Sequence, residues 1–290
     1  MKIGLIDVDG HNFPNLALMK LSAYHKIVGD SVEWALMWGK YDKVFKSKVF
    51  TFTPDESHHI NADTIFIGGT GYNNNIDLIE EIEHIYPDYS LYGVERAYGF
   101  LTRGCPNKCS WCIVPDKEGY IRSNADITEF WRGQRSAVLM DNNILASEHG
   151  LGQIDKLINL GIKVDFNQGL DASIIANNPE IAELLSRLKW DSPLRMACDT
   201  DSAIEPVLRA TELLRKYNTT PSNYFIYLLV KDVDSALDRA NILKKNNLDP
   251  FAQPYIDFRN NIIPTSEQKR FARWVNHKAI FNSVEYKDYR

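Results

Sequence analysis

Cysteine is scarce in this chain, with four residues in 290. That is too few for the disulfide framework of a small secreted domain. Long apolar runs are missing too: nothing approaches the ~20 residues that a helix needs to cross a bilayer. The start, Met1-Lys2-Ile3-Gly4-Leu5-Ile6-Asp7, reads as a strand rather than a leader peptide. The expected setting is therefore the cytoplasm, with no membrane segment. Positive charge is not in excess, and a net charge of −5 argues against coating nucleic acid by bulk electrostatics. A local basic groove is not excluded by it. Apolar residues are plentiful, at 44% against 24% charged, enough to bury a sizeable core and to exclude general disorder.

Three of the four cysteines crowd into one short stretch, Cys105-Pro-Asn-Lys-Cys109-Ser-Trp-Cys112. The spacing is C-x3-C-x2-C, with Trp111 directly before the last thiol. A structural zinc site usually shows four ligands, often as separated C-x2-C pairs. The remaining cysteine, Cys198, lies far downstream between Ala197 and Asp199 and reads as a buried small hydrophobe. His84 or His149 could in principle complete a zinc set, though neither sits in a ligand-like cluster. A four-iron cluster takes one thiolate per iron, so three thiolates leave one iron open to a group that is not protein. Zinc, a simple electron-transfer cluster and a reactive cluster with an open iron are the readings these residues allow.

This spacing, with an aromatic residue before the third cysteine, resembles the cluster loop of the radical S-adenosylmethionine (radical SAM) enzymes. The resemblance implies a [4Fe-4S] cluster on Cys105, Cys109 and Cys112, with S-adenosylmethionine chelating the open iron. Reductive cleavage of the sulfonium would then release methionine and a 5′-deoxyadenosyl radical. The segments after the loop, Ile113-Val114-Pro115, Glu118-Gly119 and Arg122-Ser123, are similar to the Pro, Gly and Arg spacing of that superfamily.

The chain is expected to be α/β, in three parts. Residues 1–92 alternate strand-like and helix-like stretches: strands over Lys2–Val8, Ser31–Met37, Lys43–Phe52 and Asp63–Ile67, and helices over Asn15–Val28 and Ile76–Tyr86. Such alternation implies a parallel, Rossmann-like sheet. This part is similar to the cobalamin-binding-like domain that precedes many radical SAM barrels. Asp9-Gly10-His11 resembles the start of a D-x-H-x-x-G cobalt motif, but Pro14 stands where its Gly belongs, so a cobalt-ligand role is not carried over to His11. Gly68-Gly69-Thr70-Gly71 could cradle an anion on backbone amides or simply form a tight turn.

Residues 93–262 are expected to form a partial (βα)6 radical SAM barrel. Its strands are read at Tyr98–Gly104, Ser136–Met140, Lys163–Asp171, Leu194–Asp199, Tyr224–Val230 and Phe251–Ile256. Helices at Glu205–Tyr217 and Asp234–Asn246 show apolar positions three and four apart. Functional residues of parallel barrels gather at the carboxyl ends of the strands, and polar clusters stand there. Asp141, Asn142 and Asn143 replace the Gly-Gly-Glu of many relatives and are candidates for holding S-adenosylmethionine, the alternative being a polar strand-end turn. Gln168 and Asp171 could hold ribose hydroxyls or substrate. Arg195 fits either a clamp for the methionine carboxylate or a structural ion pair. The resemblance places the backbone at Trp111 beside the adenine.

Residues 263–290 read as a C-terminal helical extension mixing bases with Phe271, Trp274 and Phe281. It is expected to dock its aromatics on the barrel, the alternative being a single-stranded nucleic-acid surface. The implied function is radical modification of a small molecule or nucleotide, fed by a flavodoxin- or ferredoxin-like electron donor. The competing class is a non-catalytic iron–sulfur electron-transfer or partner-binding protein.

Overall fold

The computed structural model describes every residue except 11–12, 56–58, 73–75, 220, 258–259, 261 and 290. The cobalt motif's His11 lies outside the described residues. The chain divides into two compact units, Met1–Gly99 with Ala125–Arg135, and Phe100–Asn124 with Ser136–Arg290.

The first unit holds a four-stranded parallel sheet: β1 (Lys2–Asp7), β2 (Ser31–Trp34), β3 (Lys40–Ser47) and β4 (Asn61–Gly68), in the order β2-β1-β3-β4. Central β1 is buried along Ile3 to Ile6, as a parallel strand covered on both faces must be. Its Ile3 and Leu5 pack against Leu18 and Leu21 of the helix Leu16–Ile27 and against Ile82. Asn15 caps that helix, accepting from the Leu18 N–H at 3.3 Å, and Gly29 follows it at φ +85°. Only one turn, Glu80–Glu83, forms in the stretch expected to be helical over Ile76–Tyr86. No side chain caps it at Ile79, and an uncapped nucleus is unfavourable. The short strand β5 (Ala97–Gly99) also belongs to this unit.

The second unit alternates strand and helix. After the small antiparallel pair β6 (Thr102–Arg103) and β7 (Arg122–Ser123) come β8 (Ala137–Leu139), β9 (Lys163–Phe166), the two-residue β10 (Lys189–Trp190), β11 (Leu194–Ala197), β12 (Tyr224–Val230) and β13 (Asp249–Pro254). Within this unit β8, β9 and β10 pair in parallel, as do β11, β12 and β13. The Leu170 N–H donates to the Arg195 carbonyl at 2.8 Å and carries the connection from the end of β9 to β11. Helices Glu148–Leu160, Ile204–Lys216 and Val233–Lys245 follow β8, β11 and β12. Instead of one strand over Tyr98–Gly104, the chain breaks after Gly99 and re-forms as β6, where pairing with β7 draws it into a hairpin-like neck.

The C-terminal stretch forms two helices rather than one, Ser266–Asn276 and Lys278–Ser283. A reciprocal box between Thr265 and Gln268 starts the first helix. Its Phe271 and Trp274 are buried, with Trp274 stacked edgewise on Phe281 at 4.9 Å and its indole N–H donating to the Val284 carbonyl at 2.9 Å. These aromatics are core, as docking requires. The Asn276 side chain meets the outer edge of β13, accepting from the Ala252 N–H at 2.8 Å and donating to the Ala252 carbonyl at 2.9 Å. No helix among the described residues is long and apolar enough to cross a membrane.

Candidate functional site

The cysteine loop hangs from the neck made by β6 and β7. Gly104 enters it at φ +80°, where a Cβ would come within 2.3 Å of the Tyr120 carbonyl oxygen. Only glycine fits such a left-handed, crowded position. The Cys105 N–H donates to the Gly119 carbonyl at 3.2 Å and closes the loop, while the Cys112 N–H reaches the Cys109 carbonyl at 3.0 Å in a tight turn. One acid fastens the neck. Glu118 accepts from the Gly104 N–H at 3.0 Å, from Arg103 at 3.2 Å and from the Asn142 amide at 2.9 Å.

Strand ends supply the surroundings. Asn143, just past β8 and 3% exposed, donates from Nδ2 to Asp171 at 2.9 Å and to the Cys105 sulfur at 3.7 Å. Asp171 also accepts from Asn107 inside the loop at 2.9 Å, and it caps the helix Ala172–Asn177. Cys105, Asn107, Asn143 and Asp171 thus form one network. Asp141 is spent differently: its Oδ1 accepts from the Thr102 N–H and hydroxyl, so it holds the strand that delivers the loop. Burial pushes its carboxyl up to about 6, against the opposing Thr102 bonds.

Two buried oxygens here have no hydrogen-bond partner among the described residues: Asp141 Oδ2 and Asn143 Oδ1. Buried polar atoms are normally paired, and Asn143, whose amide nitrogen reaches the Cys105 sulfur, has an oxygen that could receive a bound polar group. The Cys109 thiol is raised first by burial and then by negative charge on Cys112, Cys105, Asp199 and Asp171. Those groups therefore act on one another electrostatically, a situation that a bound cation would reverse. Among the described residues no three His, Cys, Asp or Glu side chains are gathered to hold a single metal ion. Cys105, Cys109 and Cys112 are a soft, all-thiol donor set with the Asn143 side chain beside Cys105. Such a set could hold zinc with a fourth ligand or an iron–sulfur cluster with a further polar ligand.

Trp111 is the aromatic residue of the loop. It bonds to Asp199, whose carboxyl is raised chiefly by burial and which also accepts from the Leu229 N–H at 3.0 Å. The Lys231 ammonium lies 4.2 Å from the centre of the Trp111 ring and 4.7 Å from that of Tyr255. Beyond Trp111 a groove of about 990 Å³ runs between β13 and the helix Ser266–Asn276.

The other expected residues are placed elsewhere. Arg195 is ion-paired with Asp165, inside the sheet, and reaches the Phe166 carbonyl at 3.5 Å. Gln168 is exposed and outside the loop network. Cys198 is fully buried, and burial pushes its thiol up to about 12, which suits a small core side chain. The glycine loop closes tightly on the chain: Gly71 donates to the Lys48 carbonyl at 2.9 Å, and a Cβ on Gly69 would lie 2.3 Å from that oxygen. That close approach accounts for its glycines. Asp9 caps the Val49 and Phe50 amides and the Thr53 hydroxyl. Sequence reading gave no role to Glu118, Asn107 or Lys231. Glu118 had one signal, an acid directly before a glycine in the segment that closes the loop.

No family model matches the chain, and no curated protein matches it.

Proposed function

We propose that this chain is a radical SAM enzyme whose second unit is a partial parallel barrel. The observation that carries the reading is the Asn143 amide, which ties a loop thiol, Cys105, to Asp171 at the next strand end. A C-x3-C-x2-C loop is thereby joined to the carboxyl ends of two parallel strands, the face where such folds gather their chemistry. Support for the barrel comes from two parallel sets, β8 with β9 and β11 with β12 and β13, whose strands follow one another in the chain with helices between.

In this reading Cys105, Cys109 and Cys112 hold a four-iron cluster, and Asn143 orients the first thiolate. Asp141 Oδ2 and Asn143 Oδ1 are the acceptors that would receive the ammonium of S-adenosylmethionine. Asn142, held by Glu118, keeps the neck and the β8 end in register, and the Trp111 backbone would face the adenine. The bound cofactors would supply one-electron cleavage of the sulfonium, giving methionine and a 5′-deoxyadenosyl radical that abstracts hydrogen from a small molecule or nucleotide. A flavodoxin- or ferredoxin-like protein in a reducing cytoplasm would deliver the electron.

Anaerobic reconstitution of the full chain is expected to load about four irons, and dithionite with S-adenosylmethionine to release 5′-deoxyadenosine. Iron loading without any deoxyadenosine would leave an electron-transfer protein. Zinc uptake without iron would remove both cluster readings.

A further inference from the structure

The groove between β13 and the helix Ser266–Asn276 has a charge opposite to that of the whole molecule. Among the described residues its lining includes Lys269, Arg273 and His277 and no Asp or Glu, in a chain of net charge −5. Lys269 and Arg273 are spaced four apart, so they share one face of the helix, and His277 follows at its C-terminal cap. The opposite face is consumed by Phe271, Trp274 and Val275, which are buried. Neighbouring bases are already used: Arg270 donates to the Tyr289 carbonyl at 2.9 Å and covers the Tyr286 ring, and Lys278 pairs with Asp249. Lys269 and Arg273 are exposed and form no ion pair with any described residue. Two uncommitted cations in a concave, acid-free site attract an anion.

The lining is also aromatic: Trp111, Tyr255 and Phe251 belong to it. Lys231 rests on the faces of both Trp111 and Tyr255. A cation–π contact at an exposed site is weak enough for a flat ring to replace it, leaving the ammonium free to meet an anion. At about 990 Å³ the groove has the capacity of a small-ligand site. Cations and aromatic faces lining one groove match a molecule that carries both a phosphate and a planar heterocycle.

We propose that this groove binds a nucleotide, its phosphate on Lys269 and Arg273 and its base against Trp111 and Tyr255. S-adenosylmethionine has a carboxylate and no phosphate, and in the proposed function that carboxylate would be taken up by the open iron, which leaves these cations for a different molecule. The inference names the substrate class of the proposed function; binding stands without that function, and only the radical chemistry on the bound nucleotide rests on it.

Calorimetric titration of the reconstituted full chain tests it, with excess S-adenosylmethionine, no reductant, and each ribonucleoside monophosphate in turn. At least one monophosphate should bind saturably, its nucleoside and inorganic phosphate much more weakly, and salt should weaken the binding. The pair Lys269→Glu/Arg273→Glu should lower affinity about tenfold or more, the scale of losing a charge-assisted bond. Lys163→Glu/Lys245→Glu, an equal charge change outside the groove, should leave it unaltered. Tyr255→Leu should weaken the monophosphate and spare inorganic phosphate. The proposal is overturned if no monophosphate binds at millimolar concentration, if both charge pairs act equally, or if only a single-stranded oligonucleotide binds. Deoxyadenosine release is measured separately on the unaltered chain. Loss of that activity removes the radical reading and leaves the binding result intact, and the converse holds equally.

Discussion

The two parallel sheets end in opposite ways. β4, the last strand of the first sheet, leaves Ile65, Phe66 and Ile67 47%, 45% and 50% exposed. β13, the last strand of the second unit, is backed by a helix whose Phe271 and Trp274 are all but sealed from solvent. Inside, the contrast reverses. The second unit keeps Asp141 Oδ2 and Asn143 Oδ1 buried without partners, next to its thiol loop. An exposed apolar strand is incomplete towards large surfaces, whereas an orphaned buried oxygen is incomplete towards a small polar group. The difference separates a unit unfinished on its outside from one unfinished at its centre.

The comparison breaks most sharply at Trp274. Trp274→Ala removes the keystone of the β13 cover and should cost about 3–5 kcal/mol, read as a fall in the urea midpoint. A loss below about 1 kcal/mol would mean that the helix only rests on the strand.

Asp141 tests the interior contrast. Its folded value near 6 lies above the unfolded value of about 3.9, so the folded state holds the proton more tightly. Stability from this group is fully present below about pH 4 and is lost as pH rises through about 6. Relative to Asp141→Asn, the unmodified apoprotein should lose about 2–3 kcal/mol between pH 4 and pH 7. Parallel stability curves for the two proteins would refute the raised value.

The smallest effect is expected at β4. Ile67→Lys should change the unfolding free energy by less than about 0.5 kcal/mol, because the side chain already faces solvent. A larger loss in chemical denaturation would show that the strand is covered in solution.

Local sequence carried much of this architecture. The run Tyr224–Val230 is uninterrupted and apolar until Lys231, and β12 has those same bounds. Helices at Ile204–Lys216 and Val233–Lys245 fall within a residue of the reading from their amphipathic pattern. The cysteine loop was legible because its chemistry is contiguous. What was not legible depends on contacts between distant residues. Glu118 reaches back to Gly104 and across to Asn142, and nothing in its neighbours fixes that direction. Arg195 suits a cofactor clamp and an ion pair equally until Asp165, thirty residues earlier, is folded against it. The glycines at Gly69 and Gly71 look like an anion cradle until the Lys48 backbone is seen pressed against them.

The side-chain amide of Asn276 on Ala252 has a consequence for recognition. In β13 every second residue turns its backbone outward, and at Ala252 both outward groups are engaged by Asn276. Two residues away on either side stand Pro250 and Pro254, which have no N–H to offer. An extended peptide therefore finds no free ladder along this margin, and β-augmentation is closed to it. Whatever this side of the second unit recognises must be read by side chains in a hollow, as a discrete molecule rather than as an added strand.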